Sequence, residues 1–287
     1  ASIEVLKGSS QIKFGPRTTG GAINYISTRI PTSNQIYLKA GFGSFSEIRN
    51  HLYYGGSSIT ESGGKFGYLV EMYTRNNRGF KSLIKEDTDG IASLRNGAEL
   101  DSGFVKVEPM LKLSYEPKSA LYQRWEAKFG HTNLDANETY LGLPEGLSRS
   151  HTYGRLAASR FDEIESTQYR SYIRHLIEFS PKTSLTTTLY GNTFNRNWQK
   201  LHDVNGGGGN TSLSVALAAP NSANFAVLDG TGAGSFRLRN NNRTYYQYGI
   251  QTALKHKAAM GSAEHEFELG LRWHYDQVRR KQWNETF

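Results

Sequence analysis

Arginine side chains concentrate in and beside the two longest stretches of this sequence that lack a regular hydrophobic pattern. A guanidinium group stays charged and donates paired hydrogen bonds to carboxylate or phosphate oxygens, so such a group of residues could hold an anion. For any single arginine we favour the simpler interpretation, in which it solvates a loop or contacts lipid phosphates. The candidates are Arg149, Arg155, Arg160, Arg237, Arg239 and Arg243, together with Arg17 in a glycine-rich turn near the start of the chain.

Signals for catalysis or for a resident metal are weak. Residues 87–90 (DTDG) resemble the start of a calcium loop, but the later acidic ligands are missing and an Asx turn explains them better. The glycine run 206–209 has no Lys-Ser after it, which argues against a phosphate-binding loop. The eight histidines are scattered without zinc-ligand spacing. We therefore predict no enzyme activity, no cofactor and no metal site.

The composition leaves several classes of protein open. The chain has 287 residues, no cysteine, 12% aromatic residues, 30 glycines and a net charge of +8. The charge is compatible with nucleic acid, lipopolysaccharide or an anionic ligand and does not choose among them. No run of about 18 apolar residues occurs, which excludes a helical membrane span, whereas a transmembrane strand needs only about 9 to 11 alternating residues.

Hydrophobic residues recur with a period of two from residue 34 onward, which predicts strands with one apolar face. The clearest case is residues 264–276, where Phe267, Leu269 and Trp273 alternate with charged residues. About nine strands are predicted in this way. They lie near residues 36–42, 48–56, 66–75, 105–115, 121–129, 168–179, 185–195 (the weakest), 246–255 and 264–276.

The connections between these strands alternate in length. Short turns are predicted at 59–64, 116–120, 180–183 and 257–262, and long loops at 79–102, 134–167 and 201–242. Outer-membrane barrels have short periplasmic turns and long extracellular loops, whereas a soluble sandwich would scatter its loop lengths. Tyrosines near the strand ends, such as Tyr115 and Tyr246, also suit a membrane interface. We predict an all-β, transmembrane antiparallel β-barrel.

The first residues carry the most specific motif. The string EVLKG, followed by FGPRTTGGAINYIS, resembles the end of the plug domain of TonB-dependent outer-membrane receptors. That resemblance implies a plug segment at 1–31 and the N-terminal part of a 22-stranded barrel at 32–287, both incomplete, with Pro31 at the exit from the plug. The matching residues of the motif are Glu4, Gly8, Gly15, Pro16, Gly20, Gly21 and Asn24.

A second string narrows the expected ligand. In residues 133–159, NETYLGL followed by RLAAS resembles the ferric dicitrate receptor branch of that family. The resemblance implies uptake of a ferric chelate, with iron carried in the ligand and the listed arginines as candidate contacts. It also implies an outer-membrane location among lipid and lipopolysaccharide, energy coupling to the TonB complex through a region before Ala1, and no nucleic acid partner.

Two other functions are compatible with the pattern. A passive porin-like or structural barrel would lack energy coupling, and a soluble carbohydrate-binding β-protein would not need detergent. Within the receptor family, the ligand could also be another siderophore, haem, vitamin B12 or a sugar.

Overall fold

A computed structural model describes residues 2–7, 20–84, 102–261 and 263–287. Several predicted features lie outside the described residues. They are Gly8, Gly15, Pro16, Arg17 and the stretch 87–90.

The described chain is almost entirely β-structure. An N-terminal hairpin consists of β1 (Ser2–Lys7) and β2 (Gly21–Ile26), paired antiparallel with Glu4 opposite Asn24. The long strands of the main sheet are β3 (Gln35–Gly43), β4 (Glu47–Ile59), β5 (Lys65–Asn77), β7 (Phe104–Glu116), β8 (Tyr122–Ala136), β10 (Glu163–Ser180), β11 (Thr183–Asn205), β13 (Ser235–Met260) and β14 (Ala263–Thr286). Short elements complete the list: β6 (Ser82–Leu83), β9 (Gly154–Arg155), β12 (Thr211–Ser212), a 3₁₀ helix (Ala157–Phe161), α1 (Glu145–Ser150), α2 (Leu213–Leu217) and α3 (Ala223–Asp229).

The main sheet is an antiparallel meander. Its nine long strands pair in the order β14-β13-β11-β10-β8-β7-β5-β4-β3, and the short β12 pairs with β11. The all-β prediction and the predicted strand number are confirmed. Short turns at 60–64, 117–121 and 181–182 lie at one end of the sheet, the short-turn end, and the long connections lie at the other, the long-loop end.

One predicted loop was too long. The sequence predicts a loop over 201–242, but β11 continues to Asn205 and β13 begins at Ser235. The connecting loop therefore covers only residues 206–234, and the two strands project well beyond their neighbours at the long-loop end.

The two faces of the sheet differ in polarity, as the alternation predicts. One face, which we call the outer face, carries an apolar belt that includes Leu269 and Leu271, whose side chains are 64% and 67% exposed. The inner face carries the lysines Lys112 and Lys128, which contact the segment joining the hairpin to β3. Such an extended exposed apolar surface needs an apolar environment.

Above this belt, toward the long-loop end, the outer face becomes polar. The Asn195 side-chain amide donates to the Thr244 hydroxyl at 2.8 Å, and Asn197 donates to Asn240 at 2.9 Å. Asn240 in turn donates to Glu285 at 3.0 Å. The outer face of β11, β13 and β14 thus changes from apolar residues to a hydrogen-bonded amide network.

The hydrophobic core lies at the long-loop end rather than in the middle of the sheet. Loop residues pack there against the projecting ends of β11 and β13, and we call this layer the cap. Rings of Phe161, Phe236 and Phe287 stack within it, with centroids 5.4 to 5.9 Å apart. The buried residues of the cap are Leu141, Leu156, Ala158, Phe161, Leu201, Val204, Ala216, Phe225, Val227, Leu228, Phe236 and Leu238.

Among the helices of the described residues, none has the length and apolar character to cross a membrane.

Candidate functional site

A group of cationic side chains lies on the inner face at the long-loop end. Strand pairing places Arg196 of β11 opposite Arg243 of β13, and Arg243 opposite Arg280 of β14. Lys200 of β11 lies opposite Arg239 of β13 on the same face. We call these five residues the basic cluster. Like charges on adjacent strands repel, so this arrangement is costly without a bound anion.

The cluster has few negative partners. Among the described residues, no carboxylate lies within ion-pair distance of any of the five cationic groups. Arg239 instead donates from Nε to the Asn284 side chain at 3.2 Å, and from its terminal nitrogen to the His202 ring. The neighbouring Arg237 does have a partner, since it donates to both carboxylate oxygens of Asp203. The positive charge of the basic cluster is therefore not balanced by carboxylates of the described residues.

Two aromatic rings border the cluster. The Lys200 ammonium lies 4.5 Å from the centre of the Tyr140 ring and 4.6 Å from that of Trp198, and the two rings meet edge to face. The Arg196 guanidinium lies 5.8 Å from the Trp198 ring. Within the described part of the chain, the buried Trp198 Nε1 and Arg196 Nε have no acceptor. Flat aromatic walls beside cationic groups suit an anion with a bulky organic body.

The cap fixes the strand that carries this cluster. Buried Asp162, which follows the 3₁₀ helix, accepts hydrogen bonds from the Thr139 hydroxyl and from the Leu201 backbone amide, both at 2.5 Å. These bonds tie the loop over 137–162 to β11 one residue beyond Lys200. Burial raises the pKa of Asp162 to about 6, although both hydrogen bonds and the nearby cations Arg155 and Lys200 oppose the shift.

We expect cap stability to fall as pH rises through the range of Asp162 titration. The carboxyl holds its proton more tightly in the folded state than at its ordinary pKa of 3.8, so protonation favours folding. The contribution of Asp162 should be greatest below pH 3.8, decline up to about 6, and be smaller by about 2 to 3 kcal/mol above that. Hydrogen exchange of the Leu201 amide, corrected for its intrinsic rate, should show stronger protection at pH 5 than at pH 8.

Asp162→Asn is the matched variant, because it has the same shape and cannot titrate. Its side-chain oxygen can still accept from the Leu201 backbone amide, and its side-chain nitrogen can donate to the Thr139 hydroxyl. It should remove the difference between the two pH values. An equal pH dependence in both proteins would assign the effect to another group.

The sequence-predicted arginines of the described residues lie in three places. Arg237, Arg239 and Arg243 share the inner face of β13, and the last two belong to the basic cluster. Arg149 is exposed on α1 and pairs with Glu145 at 2.5 Å.

Arg155 and Arg160 lie inside the cap and are 2% and 3% exposed. Arg155 donates from Nε to the Ser159 hydroxyl at 3.0 Å, and a second nitrogen donates to the Ser159 carbonyl. This placement favours a role in holding the cap together.

Sequence reasoning missed Arg196, Lys200 and Arg280. Arg196 and Lys200 alternate with Asn197 and Gln199 in a stretch where both faces of the strand are polar, so no hydrophobic period marks it. The usable signal was the alternation along the strand, because even-numbered residues of β11 face inward from Tyr190 to Lys200.

Known proteins resemble this chain in structure rather than in sequence. No protein-family model and no curated protein matches it. The ferric citrate transporter FecA in its unliganded form matches with a TM-score of 0.65 at 14% identity, covering 99% of this chain and 35% of that one. The ferric-catecholate import receptor Fiu from E. coli K12 also matches at 0.65 and 14%, covering 96% and 39%. The ferripyoverdine receptor of the outer membrane of Pseudomonas aeruginosa matches at 0.63 and 12%, covering 99% and 34%.

These likenesses define the fold class. The chain has the antiparallel strand architecture found in part of each of these receptors, as predicted. It spans between a third and two fifths of the length of the three receptors.

Proposed function

We propose that this chain is part of a TonB-dependent outer-membrane receptor that takes up a ferric chelate, with ferric dicitrate as the ligand. The fold shared with ferric chelate transporters and receptors supports the general function. The motif from Glu4 to Asn24 supports a plug segment at 1–31 and a barrel segment at 32–287. Partners under this proposal are the TonB complex, reached through a region before Ala1, and the lipid and lipopolysaccharide of the outer membrane.

The basic cluster is the observation that carries the choice of an anionic chelate. Ferric dicitrate presents several carboxylates, and guanidinium groups bind carboxylates through paired, charge-assisted hydrogen bonds. Arg196, Arg243 and Arg280 lie side by side on adjacent strands, which matches a ligand with more than one carboxylate. A neutral chelate would leave the repulsion among these guanidinium groups uncompensated.

Titration of the full-length receptor with ferric dicitrate and with a neutral ferric siderophore tests the proposal. We expect ferric dicitrate to bind at least about tenfold more tightly at low ionic strength, because one desolvated charge contact contributes about 1.5 to 3 kcal/mol. The preference should shrink as salt is added.

Equal affinities for the two chelates would contradict the citrate assignment and leave the general receptor function standing. Uptake that continued unchanged after loss of TonB would contradict energy coupling and favour a passive porin-like barrel.

A further inference from the structure

We propose that the linker over residues 27–31 is locked into a groove of the inner face by a polar clamp. The clamp consists of Lys112, Lys128 and Glu71. This inference concerns attachment of the linker and does not depend on which ligand the receptor binds.

The groove exists because two inner-face positions lack side chains. A Cβ atom on Gly67 would lie 2.9 Å from the Ile30 side chain and 2.6 Å from the Ser114 hydroxyl. A Cβ atom on Gly55 would lie 3.0 Å from the Pro31 ring. The distances to Ile30 and Pro31 are too short for carbon atoms in contact, so glycine at these two positions leaves space for the linker.

Two lysines hold the linker from neighbouring strands. The Lys112 ammonium on β7 donates to the Thr28 carbonyl at 2.6 Å and to the Ser27 carbonyl at 3.5 Å. On β8, the Lys128 ammonium donates to the Ser27 hydroxyl at 3.0 Å. Lys112 is 5% exposed, and its only acceptors among the described residues belong to the linker. If the linker left, the Lys112 ammonium would exchange these hydrogen bonds for water, and a hydrogen bond to a charged group contributes about 1.5 to 3 kcal/mol.

A carboxylate completes the clamp from a third strand. The Thr28 hydroxyl donates to Glu71 at 2.8 Å, and the His51 ring lies 2.5 Å from the same carboxylate oxygen. At the end of the linker, the Ser57 hydroxyl donates to the Pro31 carbonyl at 2.8 Å. Polar side chains of β4, β5, β7 and β8 therefore converge on the linker.

Limited trypsin digestion of the full-length receptor in detergent tests the clamp, because the Arg29–Ile30 bond lies inside the linker. Cleavage requires release of the segment, so its rate follows the population of the open form. We expect the double variant Lys112→Met, Lys128→Met to be cut at this bond at least about tenfold faster than the unmodified receptor. Mass spectrometry of the new N-terminus at Ile30 identifies the product.

Lys106→Met is the matched control. Lys106 lies on β7 and on the same inner face as Lys112, but it pairs with Glu108 at 3.0 Å rather than with the linker. Its cleavage rate should stay within about twofold of the unmodified receptor. Gly67→Leu, which fills the groove, should accelerate cleavage, and Lys112→Arg, which keeps a charged donor, should retain most of the protection.

Thr28→Val is a milder variant, for use if the double variant fails to assemble. It removes only the hydroxyl bond to Glu71 and should accelerate cleavage several-fold. Cleavage of the clamp variants at the rate of Lys106→Met, or an unaltered rate in Gly67→Leu, would overturn the proposal.

Discussion

Replacing Arg196 and Arg243 together with glutamine is expected to weaken binding of ferric dicitrate to the full-length receptor by about a hundredfold. Each guanidinium contact to a carboxylate contributes about 1.5 to 3 kcal/mol, and two such losses correspond to at least two factors of ten. Glutamine keeps a polar side chain of similar length, so the strand pairing of β11 with β13 should persist. Fluorescence titration measures the change.

Arg149→Gln provides the matched control for this double variant. Arg149 is a predicted ligand residue, but it is exposed on α1 and paired with Glu145. An exposed ion pair of this type contributes less than about 1 kcal/mol, so affinity should change little. If the double variant bound as tightly as the Arg149 variant, the basic cluster would not be the ligand site.

Phe161→Ala is expected to destabilise the cap by about 3 to 5 kcal/mol, because it removes a fully buried ring from a stacked group. Phe161 is 1% exposed and lies 5.4 Å, centroid to centroid, from Phe236. The change should also increase hydrogen exchange at the Leu201 amide, since Asp162 follows Phe161 directly. Ligand affinity should fall as well, because β11 carries Arg196 and Lys200.

Phe80→Ala is the control for the ring deletion. Phe80 lies in a loop at the same end of the sheet, and its side chain is 52% exposed. We expect a loss of less than about 1 kcal/mol and no change in exchange at Leu201. Similar effects for the two phenylalanines would show that the cap is not a cooperative core.

The sequence was informative wherever one face of a strand is apolar. In residues 246–255, Tyr248, Ile250 and Leu254 alternate with polar residues, and the structure places them on the exposed outer face of β13. The alternation of short turns and long loops also favoured antiparallel strands. The alternation of side chains is regular there because an apolar face fixes strand register.

The candidate site was less predictable because it lies where that constraint ends. At Asn195 and Asn197 the outer face is an amide network, so polarity no longer separates the two faces. The burial of Arg155 depends on tertiary packing of the cap, and no local pattern reports it. Arg239 and Arg243 were predicted from residue type alone, while their neighbour Arg196 emerges only from strand register.

The amide network on the outer face has a consequence for long-range electrostatics. Arg239 lies seven positions beyond Tyr246 toward the long-loop end of β13, which is about 23 Å along a strand and roughly 18 Å above the belt at barrel tilt. That height is about two Debye lengths at physiological ionic strength. A charge at the level of the belt is strongly screened over such a distance, so the electrostatic potential at the basic cluster is set mainly by residues of the long-loop end.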